Sequence, residues 1–130
     1  MALWTFRDFT DGSGASVIAE WVASIRPERK RVKMIARWDA MLEHLQNIEN
    51  SEWPSEWFTE LMPKIFEMKF TVQNIQWRPL AYFGPRRHEF TFLIGAIEMN
   101  DRLVPVDALN TADMRRLIVE ANPQRAIEHE

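Results

Sequence analysis

Residues 65–97 read IFEMKFTVQNIQWRPLAYFGPRRHEFTFLIGAI, and the spacing of apolar residues in this stretch decides the fold. Phe66, Met68, Phe70 and Val72 alternate with Glu67, Lys69 and Thr71, the period of two required by a strand with one buried and one wet face. Gln73 and Asn74 then make a two-residue connection, and Asn accepts the positive φ of a tight hairpin. The second run, Ile75–Phe83, carries Pro79, which has no N–H for a ladder and implies an edge position or a bulge. The third, Phe90–Ile97, is apolar on both faces apart from Thr91, the pattern of a central strand covered on both sides. Between them Gly84–Glu89 is a loop with Arg86, Arg87 and His88 in succession.

Upstream the period changes. Val17, Ile18, Trp21, Val22 and Ile25 recur at three and four, predicting an amphipathic helix from Ala15, capped by Ser13, with Pro27 either stopping it or restarting the chain as the first turn of the next helix. Val32, Ile35, Trp38, Met41, Leu42, Leu45 and Ile48 form a longer stripe ending near Asn50, so the two helices read as a hairpin lying on one face of the sheet. Leu3–Phe9 alternates weakly, as a short first strand ended by the Thr10–Gly14 cluster. Residues 51–64 are a connector rich in Trp and acid, with a helical turn or two expected around Ser55–Met62. Downstream, Asn100-Asp101 turns the chain into a fourth strand, Arg102–Val104, and Asn110 or Thr111 caps a last helix to about Ala121. The expected fold is a single α+β domain over residues 1–130. An N-terminal helical hairpin packs on a small, mainly antiparallel sheet of about four strands, with a C-terminal helix.

The totals narrow the class. A chain of 130 residues with 46% apolar residues, six Trp and eight Phe can bury a core without staples. It has no apolar run of about 18 residues that would span a bilayer and no secretory signal, so a cytoplasmic location and no membrane partner are expected. Zero cysteines exclude disulfides, thiolate metal sites and a Cys nucleophile. His44 and His129 lack metal-ligand spacing, and no Gly-rich phosphate loop, serine triad or paired-carboxylate signature is present, so neither a metal nor a small-molecule cofactor is expected. The net charge of −3 lends no support to nucleic-acid binding by itself. Its distribution is more telling: Arg26, Arg29, Lys30, Arg31, Lys33 and Arg37 stand against Glu28 alone, whereas the six acids from Asp39 to Glu60 have no Lys or Arg among them.

The order of elements resembles the RelE/ParE superfamily of bacterial toxins, most closely its phage-related, HigB-like branch. The resemblance rests on IFEMKF, where that family has an "xxELR" strand, on IQWRPLAYF, where it has an aromatic-Arg-hydrophobic-Tyr strand, and on FTFLIGAIE and the late DALNTADMRR. It covers nearly the whole chain through short, degenerate motifs. The family's basic segment after the third strand is replaced by AIEMNDRLVP, with Glu98 where a cation is usual. Such a resemblance implies a RelE-like fold and a cognate antitoxin as partner, held on an exposed strand edge or in the apolar groove beside the first helix. It also implies ribosome-dependent cleavage of mRNA, in which a 2′-hydroxyl attacks the neighbouring phosphate. The alternatives are a phage- or plasmid-borne binding protein without cleavage, and a gyrase-targeting, ParE-like toxin.

Carried onto this sequence, the resemblance makes Arg78 the phosphate ligand, with Lys69, Tyr82 and His88 as further catalytic candidates. Arg86 and Arg87 on the loop, and Arg29, Lys30, Arg31 and Lys33 on the second helix, are candidate RNA contacts that would grip phosphates without sequence choice.

Overall fold

The computed structural model describes residues 2–130. Among them are strands β1 (Thr5–Phe9), β2 (Phe58–Met62), β3 (Ile65–Met68), β4 (Phe70–Val72) and β5 (Ile75–Trp77), followed by β6 (Leu80–Phe83), β7 (Glu89–Ile94), β8 (Ile97–Met99), β9 (Arg102–Val104) and β10 (Ala126–Glu128). The helices are α1 (Val17–Ala23), α2 (Glu28–Leu45) and α3 (Ala108–Ala121).

This corrects the expected helical hairpin on a sheet of about four strands. The described residues form three α-helices and ten strands, in a six-stranded sheet ordered β10-β1-β7-β6-β3-β2 and a four-stranded sheet ordered β4-β5-β8-β9. The physical reason is bending. Each of the three long runs turns a corner, at Lys69, at Arg78-Pro79 and at Gly95-Ala96, and crosses between the sheets, the first and third from the larger into the smaller and the second from the smaller into the larger. Backbone hydrogen bonds hold the three corners against one another: Met68 N–H donates to the Pro79 carbonyl at 3.0 Å and Arg78 N–H to the Ala96 carbonyl at 2.8 Å. Pro79 thus sits at a corner, with the ladder slipping beside it between Leu80 and Ala81, and β6 is an interior strand. Two further strands carry no alternating pattern. Residues 58–62, expected as helix, lie on the outer edge, and the C-terminal residues of β10 pair antiparallel with β1.

Alternation sets the layers. Met68, Phe70, Trp77, Ala81, Phe90 and Phe92 face α1 and α2, meeting Ile18, Met34, Trp38, Met41 and Leu45. On the other face Ile65, Leu80, Tyr82, Leu93 and Ala96 pack under Ala108, Ala112 and Val119 of α3. Strand β7 lies between these layers, with β1 parallel on one side and β6 antiparallel on the other, which is why its sequence is apolar on both faces. The local turn readings hold: Gln73 and Asn74 take φ of 56° and 60°, and Asn100 and Asp101 take 52° and 62°. The cap of α1 is Ser16, whose hydroxyl accepts from Ala19 N–H, while Ser13 instead donates to Asp11.

Candidate functional site

The corner at Arg78 brings together residues that the sequence keeps apart. Residues paired directly across antiparallel strands share a face of the sheet. Thr59 pairs with Glu67, Thr71 with Gln76, and Gln76 with Glu98. Glu67, Gln76 and Glu98 therefore project on the face opposite α1 and α2, beyond the part of it that α3 covers. Arg78 lies in their midst. Its Nη1 donates to the Trp77 carbonyl at 2.8 Å and its Nη2 to Gln76 Oε1 at 2.6 Å. Its Nε is 3.5 Å from Glu67 Oε1 and 3.4 Å from Glu98 Oε1, paired by charge but hydrogen-bonded to neither. The Arg78 side chain is only 10% exposed, so the guanidinium looks onto this carboxylate pair rather than into open solvent.

Lys69 joins the group. Its charge, like that of Arg78, pulls the Glu67 proton affinity down, but burial outweighs both and, with Glu98 adding to it, holds the Glu67 carboxyl above its ordinary range. A carboxyl whose folded-state value is raised prefers its proton in the native state. Its penalty is absent below the ordinary glutamate range and grows as pH rises from there through the raised value. Unfolding midpoints measured against pH should therefore fall across that window for the wild type, and the fall should be lost in Glu67→Gln.

Tyr82, on the same strand as Leu80 and four residues from Arg78, is buried under α3, with its hydroxyl enclosed without a partner and its pKa raised chiefly by that burial. It offers no face to a base. Gly84 closes over it: its φ is +149°, and a Cβ there would come within 2.6 Å of the Tyr82 ring.

The loop lies at the far end of β6, six residues from Arg78 or roughly 20 Å at the strand rise. Buried Glu89 organises it, accepting from Arg7 Nε at 2.7 Å and from the Arg86 backbone N–H at 3.2 Å, with Arg86 Nη1 at 3.5 Å. His88 Nε2 is 2.7 Å from Glu49 Oε1, and its ring meets Trp4 edge-on. Arg87 is exposed. This loop and the Arg78 corner cannot grip one phosphate.

The basic run of α2 divides. With each residue turned about 100° from the last, Lys30, Lys33 and Arg37 share one flank, and Arg31 falls on the other with Ile35 and Asp39. Arg37 lies over the Trp57 ring, 5.7 Å from its centroid, while Arg29 points outward. Of the nominated catalytic residues, then, Arg78 meets Glu67 and Glu98, and Lys69 acts on Glu67 through its charge without an ion pair. Those two acids carried no catalytic signal in the sequence, where Glu67 is simply the wet position of an alternating strand. Its cross-strand neighbours were the missing information.

Among the described residues no group of three or more His, Cys, Asp or Glu is placed to hold a metal ion, and no helix is long and apolar enough to cross a membrane. Compared with family models, curated proteins and solved structures, the chain matches none.

Proposed function

We propose that this chain is a toxin-like protein of the RelE/ParE kind that inhibits translation as a ribosome-dependent mRNA endoribonuclease, with an antitoxin as its partner. The observation that carries the reading is Arg78 paired by charge with Glu67 and Glu98 on one sheet face, with Lys69 two residues from Glu67 and its charge acting on that carboxyl. Cleavage by a 2′-hydroxyl needs a base for the hydroxyl proton and cations for the charge on the phosphorane. Glu67, raised toward neutrality by burial, has the character of such a base, and Lys69 and Arg78 are the cations beside it. The departing 5′-oxygen takes its proton from the Lys69 ammonium or from Glu67 once it has accepted the 2′-hydroxyl proton, and the reading leaves the in-line arrangement to the ribosome-bound message.

A second reading, occupancy of the target without cleavage, is favoured by the state of Arg78, whose guanidinium already has Trp77, Gln76 and two carboxylates for company. Primer extension on mRNA in a purified translation system separates the two. Cuts that fall about 100-fold or more in Glu67→Gln, and fall in Lys69→Ala, are the expected result, with cutting by the wild type rising with pH as Glu67 loses its proton. Slowed translation without cuts selects occupancy. If the protein neither cuts nor slows translation, both readings fail.

A further inference from the structure

Two cavities of about 540 and 310 Å3 adjoin on the side of the molecule away from the Arg78 corner, sharing Asp39, His129 and Glu130 in their walls. Between them runs the end of the chain. Strand β10 pairs along β1, His129 N–H donates to the Phe6 carbonyl at 2.8 Å, and His129 Nδ1 lies 2.7 Å from Oδ1 of buried Asp8. The His129 ring settles against Trp38 and Phe92, at centroid distances of 4.9 and 5.4 Å. The result is a groove between the sheet edge and the two N-terminal helices, with the tail along it.

The walls of the two cavities differ. The larger sets Trp4 and Leu42 among Thr5, Asp39, Glu43, Gln46 and Glu128, whereas the smaller is mainly apolar, lined by Ile18, Val22, Ile35 and Trp38. The Trp38 indole N–H is buried there without an acceptor. The rim is acidic. Asp39, Glu43, Glu128 and Glu130 are all exposed, and among the described residues Arg31 is the only Lys or Arg in either wall. Even that cation is engaged, donating to the Ile25 carbonyl at 3.2 Å and standing 3.6 Å from Glu28. Asp8 is spoken for by His129, so the field at the mouth comes from the four rim carboxylates. Such a rim repels RNA and favours cations over a wide approach.

We propose that this groove is a docking site for a basic peptide segment of a protein partner, one that sets large apolar side chains into the smaller cavity while its Lys and Arg residues meet Asp39, Glu43, Glu128 and Glu130. Charge complementarity chooses the occupant. Apolar anchors suit the smaller cavity, because a space of about 310 Å3 lined chiefly by aliphatic and indole groups is emptied of water at a gain by side chains of matching chemistry. The inference stands apart from the ribonuclease reading, since it uses none of the residues at the Arg78 corner.

Fluorescence anisotropy of a labelled amphipathic Leu/Lys peptide, its Leu/Glu counterpart and a Ser/Lys version without apolar anchors tests it on the whole protein. The Leu/Lys peptide is expected to bind at least about tenfold more tightly than either of the others, a difference of about 1.4 kcal/mol. The exposed double variant Asp39→Lys with Glu43→Lys should lose that preference, whereas Glu52→Lys with Glu56→Lys, on the connector outside these cavities, should keep it. Equal binding of the three peptides, or equal loss in the two double variants, overturns the proposal. So does sedimentation showing that the protein alone dimerises through these residues, because a second copy would then be the occupant. Binding of an oligouridylate that Asp39→Lys with Glu43→Lys leaves unchanged, with no peptide binding, would also count against it.

Discussion

Replacing Arg78 with Met is expected to lower the free energy of unfolding by about 2–4 kcal/mol, read as a shift of the urea midpoint at unchanged slope. The variant keeps the bulk of the side chain but removes the only cation within 4.0 Å of Glu67 or Glu98 among the described residues. Glu67 is nearly as buried as Arg78, with 12% of its side chain exposed, while Glu98 retains 29%, so water screens the second acid more than the first. The cost is therefore placed below that of a fully buried pair. Arg78→Lys should recover only part of it, because an ammonium cannot donate along the guanidinium fork to both the Trp77 carbonyl and Gln76. Adding Glu67→Gln and Glu98→Gln to Arg78→Met should restore most of the loss, since the penalty is the unpaired charge. If the triple variant is no more stable than Arg78→Met, the corner is held by packing and the electrostatic account is wrong. The same expectation governs the functional test. An Arg78 variant that stops cutting will also have lost stability, which is why Glu67→Gln and Lys69→Ala are the informative changes.

Gly95→Ala is expected to cost about 3 kcal/mol, from overpacking together with the loss of aromatic contacts. A Cβ at this position would lie 1.8 Å from Cδ2 of Trp21, with Cε3 and Cε2 at 2.2 and 2.4 Å. Those atoms belong to the body of the indole, so no small rotation clears them. Trp21 in turn meets Trp38 and Trp77 edge-on at 6.1 and 5.9 Å, and pushing it aside disturbs the layer between α1 and the sheets. Near-UV circular dichroism should lose tryptophan signal along with the drop in midpoint. Trp21→Leu in the Gly95→Ala background should regain part of the stability although it is a loss in the wild type. Additive losses would mean that the two residues do not compete for the same space.

Several readings from the sequence rest on local physics and survive. Alternation at Phe66–Val72, the positive φ at Gln73-Asn74, and the doubly apolar run after Phe90 each involve residues close together in the chain, and extended chain forms there, although the first and third runs each break into two strands at their corners. The long stripe from Val32 is a helix for the same reason, although it ends at Leu45 and leaves out Ile48, short of the expected end near Asn50. Where patterns were short or absent, the sequence misled. Thr59 and Glu60 lie in an edge strand because β3 offers them a ladder, not because of any strand signal of their own. Ala126–Glu128 likewise becomes a strand only because β1 has a free edge.

The site follows the same division. That Arg78 is a strand arginine and Lys69 a wet strand position could be read from residues alone. A pairing of Arg78 with Glu67 could be read as well, but the burial of that pair and the arrival of Gln76 and Glu98 beside it could not, because they depend on which strands neighbour one another and on three corners falling at the same level. Seclusion of Tyr82 and the turning of Arg86 toward Glu89 were equally hidden, since both depend on what covers a side chain from elsewhere in the chain. By itself, then, the sequence determined the period of each segment, its turns, the absence of thiol chemistry and the separation of basic from acidic stretches. Sheet membership, the partners of each charge and the groove along the tail were decided by tertiary structure. Side-chain periodicity is a property of a few consecutive residues, whereas pairing and burial are set by surfaces that meet only when the chain has closed on itself.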